Sequence, residues 1–365
     1  MTKNFDVIGL MSGTSLDGLD IAHCQFTLNN SAWTFQLLET ETVSYTQVWL
    51  ELLKEAPLLD GVSLALLHTS YGHWIGQTVD QFIKKYNIHP RLIASHGQTI
   101  FHRPADKMTL QIGSGAAIAA ETGITTVCDF RSLNIALGGQ GAPLVPIGDM
   151  LLFSEFDACV NIGGFANISL TSKKKRIAWD ICPANIVLNH LSAQLGLPFD
   201  ASGNIAKNGK TDNKLLAGLS SLSYYKQHPP KSLGKEWVEQ YIFPLLEGSS
   251  LPVEDLISTF TAHVAHEIAK NIPSTKGSKV IFTGGGTHNT HLMRLITEQS
   301  QSEIVIPDNR VINFKEALIF AFLGVLRIEN MVNCLASATG ASADCSGGVV
   351  HYPPSRQKKL NQQEK

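Results

Sequence analysis

The sequence predicts an α/β protein made of two sheet domains that face each other across a cleft. Short apolar runs bounded by glycine alternate along the chain with segments of helical period. A strand, a glycine turn and a second strand occur twice, at Ile8–Asp20 and again at Cys159–Leu170, roughly half a chain apart. The 365 residues suit two domains of ordinary size, each able to bury its own core. The expected division is a first domain over 1–130 and a second over 131–337. A final segment, 338–365, is expected to pack back towards the first domain and to fray from Arg356 on.

In the first hairpin, Phe5, Val7, Ile8 and Leu10 make an apolar strand and Leu19, Ile21 and Ala22 begin the next. Between them Gly13 and Gly18 let the main chain approach a ligand, Thr14 and Ser15 offer hydroxyls, and converging backbone amides can hold an anion. Asp17 and Asp20 would repel a bare phosphate, so they point to a magnesium-nucleotide complex. A Gly/Asp hairpin that serves only the fold remains the alternative on residue chemistry alone.

Gln47–Glu55 and Ser63–Tyr86 carry helical periodicity. Leu92-Ile93-Ala94 reads as a short buried strand ending in Ser95-His-Gly-Gln-Thr99, and the carboxyl end of such a strand is where open α/β sheets place binding groups. His96 and Gln98 are therefore site candidates. Gly113–Glu121 reads as a small-residue helix and Thr125–Phe130 as a strand, followed by Arg131. The glycines and prolines of Gly138-Gly-Gln-Gly-Ala-Pro-Leu-Val-Pro146 suit a shaped loop or a crossing between domains.

Ile177–Asp180 is expected as a third strand after the second hairpin, with a helix starting near Pro183. Asp180 then stands at a strand end close to a helix N-terminus and an anion site, or else serves only as a solvated cap. Val253–Ile272 reads as an amphipathic helix with His263, His266 and Glu267 on its surface. Lys279–Thr283 is a strand, Gly284-Gly-Gly286 a turn bare enough for a flat ring to lie on, Asn289–Gln299 a helix, and Phe314–Glu329 the last strong helix.

Apolar residues are 44% of the chain, charged residues 16%, and the formal charge is −2, which describes a globular protein with no nucleic-acid partner. The six cysteines are scattered with no CxxC pair, as expected of reduced thiols in a cytoplasmic protein. No signal-peptide pattern opens the chain, and the apolar run Ala317–Leu326 is too short to span a bilayer, so no membrane partner is expected.

Three enzyme motifs fail on spacing. Gly203–Thr211 has one residue too many for a P-loop and no buried strand before it. Gly113-Ser-Gly115 lacks the third glycine of a dinucleotide fingerprint, and the serine of Gly9-Leu-Met-Ser-Gly13 is one position off a hydrolase elbow.

The chain resembles the anhydro-N-acetylmuramic acid kinase family nearly end to end. The resemblance rests on the ordered set Gly9-Leu-Met-Ser-Gly-Thr-Ser-Leu-Asp-Gly18, Ser95-His-Gly-Gln-Thr99, Asp129-Phe-Arg131, Gly138-Gly-Gln-Gly-Ala-Pro143, Asn161-Ile-Gly-Gly-Phe-Ala-Asn167, Pro230-Lys-Ser-Leu-Gly-Lys-Glu236, Gly284-Gly-Gly-Thr-His-Asn289 and Lys315-Glu-Ala317. It implies a two-domain actin-like ATPase fold, a duplicated ribonuclease H-like unit with a nucleotide cleft between the domains. ATP and Mg2+ are the implied cofactors. Gly13, Thr14, Ser15, Asp17, Gly18 and Asp20 would bind the ATP phosphates, with Asp17 and Asp20 on the metal. Gly163, Gly164 and Asn167 would hold phosphates from the other domain, and Gly284, Gly285, Gly286 and Asn289 the adenosine. His96, Gln98 and Arg131 would face the sugar.

The implied reaction opens a 1,6-anhydro ring with water and phosphorylates the released 6-hydroxyl, in cell-wall recycling. Asp180 matches the family's general base, and Glu316 would help hold the water. One departure stands out: the family's Thr-Gly-Pro-Gly-Asn after the base is Ile181-Cys-Pro-Ala-Asn185 here. A kinase of the same fold for another sugar and a non-catalytic nucleotide sensor are the competing expectations. The partner expected is the anhydro sugar; a homodimer is compatible with the sequence but not specified by it.

Overall fold

The computed structural model describes residues 2–13, 16–173, 175–229 and 231–354, so the expectations for Thr14, Ser15, Pro230 and the tail from Arg356 lie outside the described residues. The chain forms two compact units, one of residues 1–152 with 314–365 and the other of residues 153–313. The changeovers thus fall at 152/153 and 313/314, where the sequence reading set them at 130/131 and 337/338. Residues 131–152 and the whole of Phe314–Glu329 belong to the first unit.

In the first unit the strands are β1 (Lys3–Ser12), β2 (Leu19–Asn29), β3 (Ala32–Val43), β4 (Leu92–Ser95), β5 (Gln98–Arg103), β6 (Met108–Ile112) and β7 (Thr125–Cys128). The second contains β8 (Ala158–Ile162), β9 (Phe165–Ser172), β10 (Lys175–Pro183), β11 (Lys279–Thr283) and β12 (Glu303–Val305), and β13 (Val349–His351) returns to the first unit. The first main sheet has the order β3-β2-β1-β4-β7-β13, with β1–β2–β3 antiparallel and β1–β4–β7 parallel. The second has the order β10-β9-β8-β11-β12, with β8–β9–β10 antiparallel and β8–β11–β12 parallel. One ribonuclease H-like pattern therefore occurs twice, which is the duplicated actin-like architecture. Strand β3 and the small β5–β6 hairpin were not expected from the sequence.

Residues 7–10 of β1 are all buried, as in a central strand covered on both faces. Ile8 and Leu10 pack with Tyr71, Ile75 and Val79 of the helix Gly61–Tyr86. Gly9 turns to the other face, where a Cβ would stand 1.9 Å from the Ala317 carbonyl oxygen of the helix Asn309–Ile328. That helix also sets Gly324 against Ala94 of β4 and Phe322 against Phe26 and Trp33. A buried ion pair, Lys315 Nζ to Asp149 Oδ1 at 2.8 Å, ties it to the helix Val145–Leu152. No helix among the described residues is long and apolar enough to cross a membrane, and all six cysteines are free thiols.

The second unit's sheet is covered by Asn185–Ala193 and Val253–Asn271, with Val187, Leu191, Ile257, Phe260, Val264 and Ile268 in one core. Two residues expected on the surface of the long helix are inside it. His263 is fully buried, its Nε2 facing the Tyr225 hydroxyl at 3.0 Å and its Nδ1 the Ser220 hydroxyl at 3.2 Å, and Glu267 is 1% exposed. Only His266 is exposed. The apolar stripe understated the burial because Tyr225 and Ser220 cover the flank that carries His263.

Gly9→Ala is expected to cost about 3 kcal/mol, the scale of severe overpacking, since the clash is with backbone and cannot be relieved by a rotamer change. Urea unfolding measures it; a variant within 1 kcal/mol of wild type would overturn the account. Burial, and secondarily His266, lower the His263 pKa from 6.5 to about 3. Between those values only the unfolded chain binds the proton, so this group's contribution to stability is full above about 6.5 and is lost as pH falls towards 3. The stability gap between wild type and His263→Gln should therefore narrow from pH 7 to pH 5 in urea titrations.

Candidate functional site

Four sequence segments meet around Arg131 in the first unit. Asp129, at φ 55°, accepts from Ser132 N–H and Oγ and so turns the chain into the short helix Ser132–Ala136. The loop 138–141 wraps Asn134, whose Oδ1 accepts from Gly141 N–H at 2.8 Å and whose Nδ2 donates to Thr339 Oγ1 at 2.9 Å. A Cβ on Gly139 would come within 2.3 Å of Asn134 Oδ1. The Gly141 carbonyl then accepts from Arg131 Nη1 at 2.7 Å. The glycine-rich loop thus belongs to the first unit and docks an arginine.

Arg131 Nε and Nη2 both donate to His96 Nε2, at 3.0 and 2.9 Å, and His96 Nδ1 donates to Gly97 O at 2.7 Å. This fixes one neutral tautomer. Burial and the adjacent guanidinium hold the His96 pKa down at about 3. With both nitrogens occupied and its ring on Phe320, His96 supports the arginine. Gln98 is 3% exposed and its Oε1 has no hydrogen-bond partner among the described residues.

Glu316 is solvent-accessible at its surface yet densely surrounded by protein, and that surrounding raises its carboxyl pKa; Arg131 opposes the rise and Asp20 adds to it. Burial also raises Asp20, whose Oδ1 accepts from Thr42 Oγ1 at 2.5 Å while the charge of Asp17 pushes it further up. Asp17 is exposed, and Gly13 and Gly18 frame the turn. A Cβ on Gly18 would stand 2.7 Å from the Val43 carbonyl oxygen, so this glycine seats the loop on β3. Beneath it lies a ring of hydroxyls that the sequence reading missed: Ser12 Oγ contacts Tyr45 and Tyr71, and the two tyrosines meet at 2.6 Å.

In the second unit, register aligns Asp180 on β10 with Asn167 on β9, Asn167 with Asn161 on β8, and Asn161 with Thr283 on β11. Directly opposed residues share a sheet face, so four polar side chains form one row across four strands. Asn161 and Thr283 were not singled out from the sequence, where only pairing could reveal them. A bulge between Asp180 and Cys182 ends the regular register. The carboxyl of Asp180 accepts from Leu233 N–H through Oδ2 at 2.9 Å, and burial raises its pKa despite that bond.

The helix N-terminus near Asp180 is occupied. The amides of Ala184 and Ile186 donate to Gly164 O and that of Asn185 to Gly163 O, so the glycine hairpin and not an anion satisfies them. At Gly163 and Gly164 a Cβ would make at most ordinary contacts, which leaves the outer face of the turn open. Of the three later glycines, Gly284 and Gly286 are required by Ile162 at 2.7 and 2.2 Å from a hypothetical Cβ, whereas Gly285 has nothing within 4 Å. Asn289 caps the helix Thr290–Gln299, its Oδ1 accepting from Leu292 N–H at 2.9 Å. The residues that depart from the family's loop, Ile181, Cys182 and Ala184, are fully buried in the unit's core. Among the described residues no group of three or more His, Cys, Asp or Glu could by itself hold a metal ion.

The family model for anhydro-N-acetylmuramic acid kinase matches residues 5–353. Among curated relatives, proteins named anhydro-N-acetylmuramic acid kinase are 34% identical in Caldanaerobacter subterraneus subsp. tengcongensis (92% of this chain, 94% of that one), 35% in Legionella pneumophila strain Corby (95% and 98%) and 35% in Zymomonas mobilis (94% and 99%). Alignment over nearly the full length of both partners, on top of the repeated sheet pattern, leads to one conclusion: the chain belongs to the anhydro-N-acetylmuramic acid kinase family.

Proposed function

We propose that this sugar kinase uses ATP to phosphorylate O6 of anhydro-N-acetylmuramic acid while water opens the 1,6-anhydro ring, giving N-acetylmuramic acid 6-phosphate for cell-wall recycling in the cytoplasm. The observation that carries this reading is Asp180. Leu233 N–H takes Oδ2 and leaves Oδ1 to accept a proton from the attacking water, and a raised pKa makes the carboxylate a stronger base. Glu316 is assigned to that water, and Arg131, held by His96 and Gly141, to the sugar. Gln98 Oε1, buried without a partner, is assigned to a sugar hydroxyl.

The loop Gly13–Asp20, including Thr14 and Ser15, is assigned to the ATP phosphates, as are Gly163, Gly164 and Asn167. Gly285 is assigned to the adenosine face, with Gly284, Gly286 and Asn289 shaping that turn. The acids of the first unit fit Mg2+: Asp17 raises Asp20 and Asp20 raises Glu316, a mutual repulsion that a divalent cation relieves. Magnesium in nucleotide sites needs only one or two carboxylates beside the phosphates, which suits Asp17 and Asp20 without a closed protein cage. When bound it would neutralise developing phosphate charge. Burial of Ile181, Cys182 and Ala184 in the core favours the family's sugar over a different one, because these side chains do not project into the site.

Asp180→Asn is expected to lower sugar-dependent ADP release by about 10³-fold or more, within the usual range for a lost general base. Wild-type activity should fall as pH drops through the raised pKa of Asp180, above the ordinary 3.8. No conversion of the anhydro sugar by wild type, or undiminished turnover by Asp180→Asn, would sink the proposal. Gly285→Val should raise KM for ATP about tenfold, the effect of losing roughly 1.4 kcal/mol of ring contact, with thermal stability close to wild type. An unchanged KM would remove Gly285 from the nucleotide site.

A further inference from the structure

The segment after Pro230 has no role in the assignments above, yet it is what fixes Asp180. Strand β10 is the edge of its sheet, so one side of its backbone is unpaired by any other strand. Asp180 N–H donates across that edge to Lys231 O at 3.1 Å, and Leu233 N–H returns to the Asp180 carboxyl at 2.9 Å. The Tyr224 hydroxyl donates to Asp180 O at 2.6 Å. Backbone and carboxyl of one residue are thus clamped by Lys231, Leu233 and Tyr224.

Lys231 is anchored in turn. Its Nζ donates to Tyr224 O at 3.1 Å and lies 4.4 Å from the centre of the Tyr224 ring. The charged groups that act on it are Glu267, whose own pKa burial raises, and Lys270, of opposite sign.

We propose that Lys231 is a positioning residue that holds the 231–233 segment, and through it the Asp180 carboxyl, in working orientation. The proposal rests on the reading of Asp180 as the base. The Tyr224 carbonyl and ring keep the Lys231 side chain drawn inward, which sets the place of Leu233 N–H against Asp180 Oδ2. If Lys231 is lost, the segment can peel from the sheet edge, and Asp180 loses both its orientation and the hydrogen bond that lowers its pKa.

The test compares Lys231→Met, Lys231→Arg and Lys231→Gln in full-length protein, by sugar-dependent ADP release across pH. Lys231→Met should lower kcat about 10²-fold, the scale of a small misplacement, with both KM values within about threefold. Its acidic limb should move to higher pH, because Asp180 loses the Leu233 bond. The movement of that limb reports Asp180: Glu316 and Asp20 are also raised but belong to the first unit and keep their surroundings in Lys231→Met, Glu267 does not act on Asp180, and Tyr224 and Cys182 are pushed well above their ordinary values and stay neutral. Lys231→Arg should restore most of kcat and the limb. Lys231→Gln should shift both in the same direction by less, and it carries the test if Lys231→Met does not fold. Wild-type kcat and limb in Lys231→Met and Lys231→Gln, or losses that follow melting temperature with the limb unmoved, would overturn the positioning role. A dead Asp180→Asn beside a fully active Lys231→Met refutes this inference alone, whereas an active Asp180→Asn refutes the base assignment beneath it.

Discussion

Gly9 lies flat against the carbonyl of Ala317, and the architecture of the first unit depends on that contact. A side chain there would push the helix Asn309–Ile328 off β1, and with it the segment Lys315-Glu-Ala317. Because the helix is seated so closely, Lys315 turns inward to Asp149 and Glu316, the next residue, comes to the neighbourhood of Arg131 and Asp20. The cost of burying the Lys315–Asp149 pair is met by mutual charge, and such a pair is better suited to fixing register than to raising stability. One bare strand position and one ion pair thus hold Glu316 at the open end of the sheet.

The two units use one strand pattern for different chemistry. On the first, the polar groups near the strand ends are carboxylates and a guanidinium, Asp20, Glu316 on its helix and Arg131, with pKa values set first by burial and then by neighbouring charges. On the second, the corresponding edge is a row of amides and hydroxyl, Asn167, Asn161 and Thr283, ending in a single acid, Asp180. An isolated acid beside neutral hydrogen-bonding groups titrates on its own, as a general base needs. The crowded acids of the first unit suit charge neutralisation.

Much of this was legible in the chain. Hydrophobic alternation marked the hairpins, and glycines of the motifs Gly9–Gly18 and Gly284–Gly286 stood out as turn positions; only packing shows that Gly9, Gly18, Gly284 and Gly286 each meet backbone or a buried side chain where no Cβ fits. The domain changeovers were not legible, since the return to the first unit happens within a continuous helix whose periodicity gives no sign of it. Strand β3 escaped because its faces are half-buried and its alternation is broken by the register shift between His23 and Cys24 of its partner. His263 and Glu267 were misplaced because periodicity reports one helix face, while burial depends on what every neighbouring element covers.

The sequence by itself determined the elements, the duplicated hairpins, the family, and the residue types available for chemistry, because these follow from local spacing and from ordered motifs. Tertiary structure decided what each group can do. It enclosed both nitrogens of His96, gave the amides at the start of the helix Asn185–Ala193 to glycine carbonyls, and aligned Asp180 with Asn167, Asn161 and Thr283. It also brought the Lys231–Leu233 segment across the edge of β10. The physical reason is that hydrogen-bond satisfaction and pKa depend on which distant groups converge on a side chain, and convergence is set by packing rather than by order along the chain.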